Sequence, residues 1–170
     1  AKTFTSNGQH CDMVVVAAKT DTTVAGSKGT SLIIVDKDAA GFSRGRNLDK
    51  IGLHSADTSE LFFDDVRVDG DALLGPEHCG FAVLMNELPR ERLTLAIGSL
   101  GALEGALQWT IDYIQERQVF GQPLAKFQNS RFKIAEIMTE ARSLRTFVDE
   151  CTLLLSAHQL DTATASMAKL

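Results

Sequence analysis

Hydrophobic positions change their rhythm near residue 79. Up to that point apolar residues come in short β-branched runs, Asp12–Ala18, Ser31–Asp36 and Ser59–Val68. Gly, Ser, Thr and Asp part these runs, which is the punctuation of strands. The first two runs are continuous rather than alternating, so both are expected to be buried on two faces or central in a sheet. Residues 1–75 therefore read as half of a β-sandwich or barrel.

Beyond residue 79 the period turns helical. Leu93, Ile97, Leu100, Leu103, Leu107, Ile111 and Ile114 step by three and four, as do Ile134, Ile137, Ala141, Leu144, Val148, Cys151 and Leu155. Each stripe predicts a helix on the order of 40 Å long at 1.5 Å per residue. Gln118–Leu124 joins them, with Gly121 and Pro123 ending one helix and delaying the next. The outcome is an antiparallel helical pair from a bundle. Asp161 is the expected N-cap of a third helix. Gly98, Gly101 and Gly105 fall inside the first long helix, where each costs about 1 kcal/mol relative to Ala. Close approach by a neighbouring helix backbone is the favoured explanation, ahead of a bound ligand. The chain starts at Ala1 without a leader-like segment and stops at Leu170 within a helical pattern, so it is expected to be a piece of something longer.

Composition narrows the function without naming it. At 44% hydrophobic and 23% charged residues, disorder and a collagen-like chain are excluded. No apolar run approaches the roughly 18 residues of a membrane-spanning helix. A net charge of −5 offers no basic face for nucleic acid, although a small anion held by a few arginines is compatible with it. Cys11, Cys79 and Cys151 form no CxxC, which fits a reducing compartment. His10, His54, His78 and His158 lack metal-ligand spacing, so no metal is expected.

Two polar clusters stand out. Pro89-Arg90-Glu91-Arg92 lies where Pro89 can serve as the first residue of the apolar helix. There Glu91 favours the helix dipole and the arginines are solvated, or else a carboxylate between two arginines is a general base beside an anion or carbonyl site. Spacing leaves both open. Arg117 and Phe120 before Gly121, with Gln128 beyond, form the second cluster. They cap and pack a helix end, or Arg117 clamps a phosphate while Phe120 and Gln128 hold an adjacent ring.

Taken together, the stretches Lys2–Gly8, Leu48–Leu53, Ser55–Val66, Leu74-Gly75, Gly80-Phe81, Leu88–Leu93, Glu116–Gly121 and Phe127-Gln128 resemble the acyl-CoA dehydrogenase family over essentially the whole chain. The resemblance implies an α+β fold by segregation: 1–78 as the later part of a middle β-domain (half of a barrel or sandwich), and 79–170 as the first helices of an antiparallel four-helix bundle. FAD would lie between these domains. The implied reaction is α,β-dehydrogenation of a fatty acyl-CoA thioester to trans-2-enoyl-CoA: a carboxylate takes the α-proton and the β-hydrogen leaves as hydride to the flavin. Such a base works best in a buried, dry site.

Leu88-Pro89-Arg90-Glu91-Arg92 is similar to the Leu-x-x-Glu-Arg pattern of the long-chain and isovaleryl subgroups, which implies Glu91 as catalytic base. Arg92 would order the site, and Pro89 and Arg90 would line the acyl end. Ala82 stands where the subgroup usually has Tyr, implying room for medium-to-long or branched acyl groups. The tail Asp161–Lys169 also resembles long-chain members. The same likeness implies Phe4, Thr5 and Ser6 at the isoalloxazine, and Arg117, Phe120 and Gln128 at the pyrophosphate and adenine side of a neighbouring subunit's FAD. It implies a homo-oligomer, usually a dimer of dimers, in the mitochondrial matrix or cytoplasm, passing electrons to an electron-transferring flavoprotein. An acyl-CoA oxidase using oxygen and a non-catalytic scaffold are the alternatives. The 170-residue chain alone is expected to bind FAD poorly.

Overall fold

The computed structural model describes residues 1–170. The chain divides into two compact units, Ala1–Leu84 and Met85–Leu170. In the first, β1 (Lys2–Ser6), β2 (Met13–Lys19), β3 (Thr30–Asp36), β4 (Phe42–Asn47), β5 (Thr58–Phe63) and β6 (Leu73–Leu74) form two three-stranded antiparallel sheets, ordered β1-β5-β4 and β2-β3-β6. Neither sheet closes on itself.

The continuous runs part ways here. β3 is central, with Ser31, Leu32 and Val35 buried. β2 is an edge strand whose Met13 and Val15 are exposed, contrary to the expectation of two buried faces, because a continuous apolar run does not say how many neighbours a strand has. The run beginning at Ser59 also stops early. β5 ends at Phe63, and Asp65 turns the chain with φ 47°.

α1 (Gly80–Glu116) begins well before the position expected from Pro89, which lies inside the helix. Pro89 has no N–H to donate to the Met85 carbonyl, so one rung of the ladder is missing. What starts α1 is its seat on β3. The His78 amide donates to Ser31 Oγ at 2.8 Å, and a Cβ on Gly80 would fall 2.8 Å from the Ser31 carbonyl carbon. Only glycine fits there.

In the second unit α1 continues to Glu116, a hairpin of β7 (Gln118–Val119) and β8 (Gln122–Pro123) follows, and α2 (Gln128–Ser156) and α3 (Thr162–Lys169) complete the chain. Leu93, Ala96 and Leu100 of α1 join Val148 and Cys151 of α2 and Ala168 of α3 in one buried cluster. Further along α1, Glu104 meets Arg145 of α2, so residue numbers fall on α2 as they rise on α1 and the two run antiparallel. Asp161 caps α3, accepting from the Ala163 and Thr164 amides at 2.8 and 2.9 Å. Nothing lies within 4 Å of a Cβ built on Gly98, Gly101 or Gly105. That corrects the expectation of a close helix backbone: within this chain the glycine stripe faces open space. No helix is long and apolar enough to cross a membrane.

Candidate active site

Four of the candidate residues lie in the first unit. Phe4 is 77% exposed with φ 61°, a left-handed conformation that costs a bulky residue on the order of 1–3 kcal/mol. The cause is local: the pairing of β1 with β5 slips between Lys2 and Thr5, and the extra length throws the Phe4 ring outward. Regular pairing resumes at Thr5 with Ser59 and Ser6 with Thr58, leaving Thr5 half-buried and Ser6 exposed. An exposed aromatic ring on a strand that also carries two hydroxyl residues suits a flat, polar-edged ring system. Ala82 is exposed on the first turn of α1.

The second unit holds the other two groups. On α1, Pro89 is half-buried, Arg90 and Glu91 are exposed and Arg92 is half-buried. Arg90 pairs with Glu87 at 3.2 Å. Arg92 donates to Ser166 Oγ of α3 at 2.9 Å. Glu91, between them, makes no ion pair with either arginine. The dry enclosure expected for a base is not supplied by these 170 residues, since Glu91 stands on an exposed face.

Arg117, Phe120 and Gln128 are gathered by the hairpin. Arg117 closes α1 with its amide on the Tyr113 carbonyl at 2.8 Å, and its own carbonyl accepts from the Leu124 amide at 2.8 Å. The two-residue turn at Phe120 (φ 51°) and Gly121 (φ 79°) has both residues left-handed, the geometry of a type I′ hairpin. Phe120 is 94% exposed and meets Phe127 edge-on, ring centroids 6.4 Å apart. Gln128 opens α2, whose N-cap Phe127 brings no side-chain acceptor. The first amides of α2 are therefore uncapped, beside Arg131, where a helix N-terminus favours an anion. Gln128, Arg131, Phe132 and Ala135 line a cleft of about 450 Å³. Arg131 lies one turn after Gln128 on the same face of α2, a spacing by which the sequence pairs the two.

A larger cleft of about 850 Å³, lined by residues including Glu104, Leu107, Ile111, Met138, Arg142 and Arg145, does not include Glu91. Its rim carries the bidentate pair of Arg145 with Glu104. The hydrogen bond from Arg145 holds the Glu104 carboxyl below the usual carboxylate range, against a smaller desolvation effect. No group of three or more His, Cys, Asp or Glu gathers as a metal cage.

Comparison with known proteins gives these positions a family. Residues 1–66 match the acyl-CoA dehydrogenase middle domain, and residues 78–170 match the acyl-CoA dehydrogenase C-terminal domain. The long-chain specific acyl-CoA dehydrogenase of Rattus norvegicus mitochondria is 42% identical over 170 residues, covering 99% of this chain and 40% of the relative. The mitochondrial isovaleryl-CoA dehydrogenase of Arabidopsis thaliana is 41% identical over 147 residues, 86% of this chain and 36% of the relative. A crystal structure of an acyl-CoA dehydrogenase from Geobacillus kaustophilus superposes with a TM-score of 0.94 at 43% identity, over 98% of this chain and 44% of that one. The chain thus spans about two fifths of the length of the relatives it matches. On both its β and its helical parts, the chain belongs to the acyl-CoA dehydrogenase family.

Proposed function

We propose that this chain is part of an FAD-dependent enzyme that desaturates a fatty acyl-CoA thioester between its α- and β-carbons. The observation that carries the reading is Glu91, an unpaired carboxylate between two arginines that are each engaged elsewhere. A carboxylate locked to Arg is a poor base, because the pair stabilises its charged form. Glu91 is not so locked. In this reading it takes the α-proton of the thioester, and Pro89, Arg90, Arg92 and Ala82 border the acyl group. Small Ala82 leaves room for medium-to-long or branched chains.

The residues present suit FAD. Phe4, held outward in a strained conformation, offers a wall for the isoalloxazine, with Thr5 and Ser6 as hydroxyl partners. Arg117, Gln128 and the uncapped start of α2 offer positive charge and amide donors to a pyrophosphate, and Phe120 offers a ring face beside it. What bound FAD supplies is the two-electron sink for the hydrogen leaving the β-carbon. Arg117, Phe120 and Gln128 serve the FAD of a neighbouring subunit, which makes the enzyme a homo-oligomer, a dimer of dimers. An electron-transferring flavoprotein is the acceptor, in the mitochondrial matrix or cytoplasm.

Anaerobic titration of the holoenzyme with saturated acyl-CoA thioesters of graded length tests this. Bleaching of the flavin absorbance at stoichiometric thioester, and its return on adding an electron-transferring flavoprotein, is expected. Rapid peroxide formation in air would assign the acceptor to oxygen. No bleaching by any acyl-CoA would refute the proposed reaction.

A further inference from the structure

Glu91 stands next to Arg92 in sequence, yet the guanidinium is directed away from it. The Arg92 side chain is half-buried and donates to Ser166 Oγ at 2.9 Å, across 74 residues of chain. That hydroxyl is itself oriented: its single proton goes to the Thr162 carbonyl, leaving its lone pairs for Arg92. Ser166 is held firmly, since Ala165 and Ala168 on either side are buried and Asp161 caps the start of the helix. The other flanking arginine, Arg90, is occupied by Glu87.

We propose that Ser166 is a positioning residue for Glu91: by holding the Arg92 guanidinium against α3, it keeps the adjacent carboxylate free to accept a proton. The proposal rests on reading Glu91 as the base. Anchored on Ser166 of α3, the long Arg92 side chain is held away from its neighbour Glu91. An arginine without its acceptor regains its rotamers and turns to solvent. On that stretch of α1 Glu87 is already paired, and Glu91 is the carboxylate left. An ion pair there would favour the charged form of the carboxylate, and a carboxylate so held takes the α-proton more slowly.

The test uses the holoenzyme and two readouts. One is steady-state turnover. The other is exchange of the α-proton into D₂O from an acyl-CoA whose β-carbon bears no hydrogen, which reads proton abstraction without net oxidation. In Ser166→Ala both kcat and exchange should fall roughly 3–30-fold, with KM for acyl-CoA changed less than about 2-fold. Ser166→Cys keeps the volume but loses most of the acceptor strength and should match alanine. Ser166→Thr keeps the hydroxyl and should restore both rates. Wild-type rates in the Ala and Cys variants, or a Thr variant as slow as Ala, overturn the proposal. Glu91→Gln separates it from the reading beneath. Exchange lost in Glu91→Gln but unchanged in Ser166→Ala removes only the role of Ser166, whereas exchange surviving in Glu91→Gln removes the base assignment and this proposal with it.

Discussion

Adding one methyl group at Gly80 should weaken the protein, while adding it at Gly98 or Gly101 should strengthen it. At Gly80 the new carbon would lie 2.8 Å from the Ser31 carbonyl carbon, 2.9 Å from the Leu32 nitrogen and 3.0 Å from Ser31 Cα. These are backbone atoms of β3, which is paired with a strand on each side, so the neighbour cannot yield cheaply. Overpacking of this kind costs about 1–3 kcal/mol. The helix propensity gained on replacing Gly by Ala returns at most about 1 kcal/mol, and less at the first helical residue. A net loss of about 1–2 kcal/mol follows, which lowers Tm by roughly 2–8 °C in a chain of this size. At Gly98 and Gly101 nothing lies within 4 Å, so only the propensity gain remains, about 0.5–1 kcal/mol each. Thermal and urea unfolding of the 170-residue chain measures all three variants. A Gly80→Ala variant as stable as the parent would refute the seating of α1 on β3. A loss of more than about 1 kcal/mol at Gly98 or Gly101 would mean that something rests against that face.

Leu100 is 1% exposed in the helical core, and Leu100→Ala should cost about 2–5 kcal/mol by urea denaturation. Ser59 is fully buried and its hydroxyl has no partner, so Ser59→Ala should raise stability by about 1–3 kcal/mol in the same assay. Acid should loosen the helical unit. Glu104 is held below its ordinary value chiefly by the Arg145 hydrogen bond, and Asp161 chiefly by hydrogen bonds from the Thr164 hydroxyl and amide. A depressed carboxyl contributes stability that is fully present above the ordinary range of about pH 4–5 and is lost as pH falls through the depressed value. Tm should therefore fall below about pH 4.5, and Glu104→Gln should flatten part of that fall. An unchanged profile would deny the pair its role.

The parts of the fold legible in sequence are those governed by local pattern. The stripes from Leu93 and Ile134 gave two helices, because their buried members, Leu93 and Leu100 on one and Ala141, Val148 and Cys151 on the other, recur at helical spacing. Asp161 was readable as a cap because capping reaches only three residues. What could not be read depends on distant neighbours. β4 has few apolar residues and is a strand because β5 pairs with it. β2 and β3 carry the same kind of apolar run, and only the sheet order sets β2 at the edge. Pro89 suggested a helix start, yet the start was decided by β3 beneath Gly80. At the candidate site, the Glu-Arg motif was visible, but the Arg92 bond to Ser166 joins residues with no local spacing to announce it.

If Glu91 removes the α-proton of an acyl-CoA, replacing it must slow the chemistry itself, and single-turnover reduction of the flavin in the Glu91→Gln holoenzyme reads that step. A general base contributes about 10²–10⁴-fold. Anaerobic bleaching should slow by about 10²–10⁴-fold while acyl-CoA still binds. Bleaching at the wild-type rate would contradict it.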